Sequence, residues 1–316
     1  MKMQSIEQFL HDKMHARSPM IGYGDHIFVK HEGMGKNKSH KARSAAYVVY
    51  DRIRNRKIPE SIGDRSSGSW AGELSEIAAM LKIQSTWITA GEPDFAIRKT
   101  VEDNGGRFVV VKNNADRRAV LEQYKSKGHW SPDQHNNPLI IRAFRETLGK
   151  EAADDLRSAA ITSRQLRFVC AAVGTGGSAA GLSLGLKDAG YKDFELIGCD
   201  TTESIVANGR AQNGDFSIPI PGVGSKDEVC RTFQRAKGQL SRPLIRTSPL
   251  LASKAAAQFQ QAYPIGCGMS SGLALATAER VLLPELKNGE KILLLFCDSA
   301  ERYQSQLEFG KVHNVS

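Results

Sequence analysis

Between residues 167 and 186 the chain reads RFVCAAVGTGGSAAGLSLGL. A run rich in β-branched and aromatic residues ends at Val173, a loop of glycine and hydroxyl residues follows, and a small-residue helix is expected from Ala179. A strand, a glycine loop and a helix in that order point an array of backbone N–H groups at a common spot, which suits an anion such as a phosphate. The same alternation recurs along the chain. Strands are expected at 26–30, 85–90, 107–111, 167–173, 194–200 and 291–298. Amphipathic helices are expected at 44–56, 73–82, 179–189, 253–262 and 273–283. Such alternation argues for an α/β protein with mostly parallel sheets covered by helices on both faces. Ser5 and Gln8 have capping-box spacing and predict the start of a first helix. The polar stretch 125–138 reads as a loop joining two lobes, and the glycine-rich stretch 207–228 as a second long loop.

Which phosphate the loop would bind is left open by its residues alone. Gly174, Gly176 and Ala179 match the dinucleotide fingerprint, with Asp200 ending the next strand where a ribose acceptor would sit, so an NAD(P)-dependent oxidoreductase is one reading. No P-loop signature is present. A second loop, RSSGSWAG (65–72), places Ser66, Ser67, Gly68 and Ser69 ahead of a helix; it fits either a carboxylate or phosphate site or a plain N-cap cluster. The third, GCGMSSG (266–272), contains GxSxG, but its lead-in is a poor strand for a nucleophile elbow, even with Asp298 and His313 downstream. Finally, Lys41 lies in KNKSHKAR (36–43). A lysine among other cations has a lowered amine pKa, which favours Schiff-base chemistry, whereas most such runs are solvated basic loops.

Composition narrows the classes. Lys and Arg number 43 against 34 Asp and Glu, a net charge of +9, so an anionic partner is expected. Zinc fingers, RNP-like aromatic motifs and long basic arms are absent, which argues against nucleic acid. No apolar run approaches the roughly 20 residues of a bilayer-spanning helix, and the polar opening residues argue against export. The 5 cysteines form neither a disulfide framework nor a metal pattern, so a reduced, cytoplasmic protein is expected. His11 and His15 share a helix face without a third ligand in register, so no metal site is assigned.

Taken in order, these segments resemble the cysteine synthase/cystathionine β-synthase family, the β-family (fold type II) of pyridoxal-phosphate enzymes. RSPMI (17–21) resembles the family's TPL(V/I) start. Lys30 and Glu32 followed by Ser39, Lys41 and Arg43 resemble KxE…SxKxR; SSGSW (66–70) is similar to TSGNT. Gln134 with Asn137 and Pro138 looks like the family's glutamine and NP region. Residues 174–178 resemble GTGGT, 266–272 resemble GxSSG, and CDSAERY (297–303) resembles the C-terminal segment that meets the cofactor's ring nitrogen.

The resemblance implies pyridoxal 5'-phosphate as cofactor. Lys41 would form its Schiff base; Gly174, Thr175, Gly176, Gly177 and Ser178 would cradle its phosphate. Ser69 would lie beside the ring, and Asp298 or Ser299 would meet the ring nitrogen, alignment favouring Asp298. Ser66, Ser67, Gly68 and Gln134 would hold the substrate carboxylate. It also implies two α/β domains, a smaller one at 36–140 and a larger one made of 1–35 and 141–316, and a homodimer. The reaction expected is β-replacement on an O-activated serine through the Lys41 aldimine and an aminoacrylate. β-Elimination by the same route is the nearest alternative, and a non-catalytic scaffold a further one.

Ser69 and Trp70 stand where the family has Asn and Thr, and KNKS (36–39) replaces NPxxS. Lys36, Lys38, His40, Arg43 and Arg65 bracket the expected lysine and carboxylate loop, so an anionic amino-acid substrate is expected.

Overall fold

The computed structural model describes residues 3–55, 58–202, 204, 206, 220, 222–224 and 229–303. In chain order its elements are α1 (Met3–His15), β1 (Met20–Tyr23), β2 (Ile27–His31), α2 (Lys41–Asn55), β3 (Ser61–Arg65), α3 (Ser69–Leu81) and β4 (Gln84–Ala90). Then come α4 (Phe95–Asp103), β5 (Arg107–Val111), α5 (Asn114–Ser126), α6 (Leu139–Phe144), α7 (Lys150–Ser158), β6 (Leu166–Ala172) and α8 (Gly177–Asp188). The remainder is β7 (Glu195–Thr201), α9 (Arg231–Ala236), β8 (Ile245–Thr247), α10 (Pro249–Ala262), α11 (Met269–Thr277) and β9 (Lys291–Phe296). The α/β class expected from the sequence is what the chain adopts, with parallel sheets flanked by helices.

Internal contacts divide the chain into two units: Met1–Ala16 with Lys41–Leu139, and Arg17–His40 with Ile140–Ser316. The sequence division at 36–140 differs from this by the segment Met1–Ala16, by residues 36–40 and by residue 140.

The first unit is built on a three-stranded parallel sheet, order β3-β4-β5, with Asp64 level with Trp87 and Trp87 level with Phe108. Loop residue Trp130 extends it beside β3, accepting from Gly63 N–H at 2.9 Å and donating to the Ser61 carbonyl at 3.2 Å. Ile62, Leu74, Ile77, Trp87 and Ile88 form its core. Helix α1 buries Ile6, Leu10 and Met14, and its Lys13 Nζ reaches Glu73 at 2.8 Å and Glu76 at 2.6 Å on α3. Ser5 lies inside α1, which is already helical at Met3, so it does not cap the helix. The capping-box expectation fails because the flanking residues carry the helix two positions further back.

The second unit holds a six-stranded sheet, order β1-β2-β9-β6-β7-β8, in which β1 pairs antiparallel with β2 and the other pairs are parallel. The central strands β9 and β6 are buried on both faces, so they read as continuous apolar runs. Helix α8 packs closely on the π-helical segment Arg145–Gly149 that runs from α6 into α7. A Cβ on Gly185 would come within 2.7 Å of the Gly149 Cα, so glycine is required there by backbone approach. Most of 207–228 lies outside the described residues.

Candidate functional site

In the first unit, β3 ends at Arg65 and the chain turns through Ser66, Ser67 and Gly68 into α3. Ligands of open parallel sheets gather at the carboxyl ends of the strands, and this loop leaves such an end. Gly68 occupies the N-cap position and no side chain caps the helix, an arrangement that suits an anion at the first-turn N–H groups. Ser66 is buried and its Oγ accepts from Gly68 N–H at 3.3 Å, which shapes the loop. Ser69 is the buried first residue of α3, while Ser67 is exposed.

Gln134 is brought to this end by Asp64, a residue the sequence reading passed over. Asp64 is fully buried; its Oδ1 accepts from Arg65 N–H at 2.7 Å, and its Oδ2 from Trp70 Nε1 at 3.0 Å and Gln134 N–H at 3.3 Å. Burial first, and then the charge of Asp133, push its carboxyl up to about 6. His135, beside Gln134, is pushed down to about 4 by burial and then by the positive charges of Arg65, Arg117 and Lys41, against the opposing charge of Asp133. The signal for Asp64 was a lone carboxylate in a strand-length segment directly before the serine loop. Lys41 opens α2 and is partly buried.

Of the cations bracketing the lysine in the sequence, Arg43 is buried and donates to the Met14 carbonyl at 3.3 Å, a packing role. Lys36 is exposed, and Lys38 lies 3.8 Å from Glu301. Arg65 is the member of that set that borders the serine loop.

In the second unit, Gly174, Thr175 and Gly176 connect β6 to α8, whose first residues are Gly177 and Ser178. Gly176 adopts φ 74°, the left-handed region that glycine enters without strain, and no side chain caps α8. A Cβ on Gly174 would run into the Gly222 carbonyl oxygen, and one on Gly177 would fall 2.6 Å from Ile140 Cγ2. The glycines at 174 and 177 are thus demanded by packing, and the Thr175 Oγ1 accepts from the Gly177 N–H at 3.5 Å.

After β9, Cys297 N–H donates to Ser271 Oγ at 3.2 Å and Gly268 N–H to the Asp298 carbonyl at 3.2 Å. The GxSxG segment therefore braces residues 297–299. Its lead-in follows helix α10 and is not a strand, so no nucleophile elbow forms; His313 lies outside the described residues. Ser299 is wholly buried, and its Oγ has no hydrogen-bond partner among the described residues. A buried hydroxyl without a partner is costly, and a ligand that completes it explains its retention. Asp200 is also wholly buried; its Oδ1 accepts from Thr201 N–H at 2.7 Å. Among the described residues no cluster of three or more metal-ligating side chains occurs.

A family model described as pyridoxal-phosphate dependent enzyme matches residues 15–298. The chain belongs to that family. Pyridoxal phosphate is its cofactor, as the resemblance implied.

Among curated relatives of this pyridoxal-phosphate-dependent enzyme, a cysteine synthase of Haemophilus influenzae is 25% identical over 306 residues, covering 92% of each chain. Cysteine synthase A of Escherichia coli K12 is 23% identical, covering 92% of this chain and 90% of its own. Among solved structures, O-ureido-L-serine synthase superposes with a TM-score of 0.81 at 21% identity, over 97% of this chain and 96% of its own. The O-acetylserine-dependent cystathionine β-synthase of Helicobacter pylori gives 0.78 at 20%, over 94% and 96%. These neighbours share the fold.

The residues present fit the cofactor. The α8 N-terminus, with Thr175 and Ser178 hydroxyls beside it, suits a phosphate. Within the second unit the buried Ser299 Oγ is a hydroxyl that a ligand could complete; within the first, Lys41 is an amine at the start of a helix.

Proposed function

We propose that this enzyme catalyses β-replacement on a serine whose hydroxyl is activated as a leaving group, with Lys41 as the catalytic residue. Bound pyridoxal phosphate supplies an electron sink for the bond broken at the substrate's Cα. The N–H groups and hydroxyls of residues 174–178 hold its phosphate, and Ser69 lies beside its ring. Ser299, adjoining Asp298, meets the ring nitrogen. Ser66, Ser67, Gly68 and Gln134 hold the substrate carboxylate. Lys41 would hold the cofactor at its carbonyl carbon and, once free, its Nζ would take the proton from the substrate's Cα. The leaving group departs from Cβ and a nucleophile adds there. Under the elimination alternative no nucleophile adds at Cβ, and water releases ammonia and a keto acid.

The observation that carries this reading is the Ser299 hydroxyl, buried without a partner in the segment that resembles the family's ring-nitrogen contact. A hydroxyl there leaves the ring nitrogen neutral and confines the chemistry to Cβ, whereas a carboxylate would protonate it. The wild type should be yellow and Lys41→Ala should lose the visible band; an unchanged spectrum removes Lys41 from its role. Time courses with serine, O-acetylserine and O-phosphoserine, with and without sulfide, separate replacement from elimination. Keto-acid release in place of a new amino acid overturns replacement.

The substrate is proposed to carry a second negative charge. Arg65 directly precedes the serine loop, and its charge acts on His135 with those of Arg117 and Lys41 against the opposing charge of Asp133, which supports an anionic substrate group there. Arg65→Ala should raise KM for O-phosphoserine more than for O-acetylserine; equal effects refute the preference. A cytoplasmic homodimer is proposed as well. Its support is that the described cysteines are free thiols and that no described helix is long and apolar enough to cross a membrane, together with the family's usual state. Light scattering tests the dimer.

A further inference from the structure

We propose that Asp64 is a positioning residue: through Trp70 and Gln134 it holds, in one register, the two segments that the proposed function assigns to the substrate carboxylate. The inference rests on that assignment and adds a residue to it. Asp64 lies in β3, one residue before the strand ends, and is wholly buried. One carboxylate oxygen takes two donors from separate stretches of chain: the Trp70 indole at 3.0 Å, in the first turn of α3, and the Gln134 backbone at 3.3 Å, in the loop that ends the unit. The other oxygen takes Arg65 N–H at 2.7 Å, which fixes the rotamer. The loop is already attached to β3 through Trp130, so Asp64 carries that attachment on to Gln134.

The pair accounts for Trp70. Where the resembling motif has threonine, this chain has an indole, whose N–H reaches farther than a threonine hydroxyl. The indole is 1% exposed and spends its single donor on Asp64. An ionised carboxylate is the side chain suited to accept from three N–H donors at once. An asparagine would offer an NH₂ group to at least one of them and lose that bond. A carboxylate buried in this way is costly, and these bonds are what make it tolerable.

The test uses the holoenzyme of Trp70→Phe, Asp64→Asn and the double variant. Trp70→Phe keeps an aromatic ring and removes the N–H, so it stands even if Asp64→Asn fails to fold. Readouts are KM for O-acetylserine with sulfide, kcat, and half-saturation of the absorbance change produced by L-serine alone. Each single variant should keep the visible band, raise KM and the serine half-saturation about tenfold, and change kcat less than about twofold, the loss of one charged-group hydrogen bond. The double variant should be no worse than Asp64→Asn, because both act through one bond. Unchanged KM and half-saturation in Trp70→Phe, or effects that multiply in the double variant, overturn the positioning role. A wild type without the visible band counts against both this role and the proposed function; variants that keep the band and their KM count against this role alone.

Discussion

The backbone N–H of His40 donates to the Cys297 carbonyl at 2.9 Å, and the His40 ring Nδ1 lies 3.2 Å from the same oxygen. Around this pair, Ser299 N–H donates to the Lys38 carbonyl at 3.2 Å and Arg302 Nη2 to the Asn37 carbonyl at 2.8 Å. Residues 37–40 are thus pinned along 297–302, and Lys41 is the next residue in the chain. The His40 ring also stacks on Phe144, with centroids 5.4 Å apart. His40→Ala removes the ring contact and the stacking but leaves the backbone bond, and should cost about 1–2 kcal/mol. A urea midpoint equal to that of wild type would show that the backbone bond alone holds the segment.

Gly174→Ala should be severe for a local reason. The added Cβ meets the Gly222 carbonyl oxygen, which is backbone and cannot rotate away. Overpacking of this kind costs about 1–3 kcal/mol and displaces the loop that leads to the α8 N-terminus. Lowered thermal stability with weakened retention of cofactor on dialysis is expected. A variant that keeps both would show that the loop moves without cost.

Much of this was legible in the sequence, and the failures have physical causes. The strand around 291–298 announced itself because a parallel strand buried on both faces is uniformly apolar, and the one around 107–111 through its run of β-branched residues, although none of its residues is buried. Strand β3, SIGDR, did not: every residue in it is buried, yet two are charged and one is glycine, so no apolar period appears. Its Asp64 is tolerated through partners at Trp70 and Gln134, and Gln134 is 70 residues away. The glycine loop at 174–178 was visible because backbone conformation demands glycine locally. The packing partner at Gly222, which makes Gly174 obligatory, was not. Arg43 looked like a site cation because charge is visible in a sequence and burial against Met14 is not.

Lys30 shows the same blind spot. Its side chain is wholly buried in the second unit, with Nζ 2.6 Å from Glu151, 2.5 Å from Asp155 and 2.6 Å from the Ser18 carbonyl. Lys30→Met would leave Glu151 without this buried partner, while Asp155 retains Arg17 at 2.7 Å. Removing one member of a buried pair costs about 3–5 kcal/mol, whereas replacing both by apolar residues is often neutral. Lys30→Met should therefore lower the unfolding free energy by about that amount, and adding Glu151→Leu should restore part of it. A double variant as unstable as the sum of the two singles would contradict the pairing.

Asp64 makes a prediction about pH. Its carboxyl is pushed up to about 6 from 3.8, first by burial and then by Asp133, against hydrogen bonds from Arg65, Trp70 and Gln134. The folded chain therefore binds this proton more tightly than the unfolded chain. The stabilisation is fully present below the unfolded value near 4 and is lost as pH rises through about 6. A shift of about 2 units corresponds to roughly 3 kcal/mol. Asp200, also pushed up to about 6 by burial, contributes in the same direction, so the wild-type profile contains both. Comparison with Asp64→Asn isolates one of them. Between pH 4 and pH 7 the unfolding free energy of wild type, measured relative to the variant, should fall by on the order of 3 kcal/mol. Parallel profiles for the two proteins would mean that Asp64 titrates in the folded chain as it does in the unfolded one.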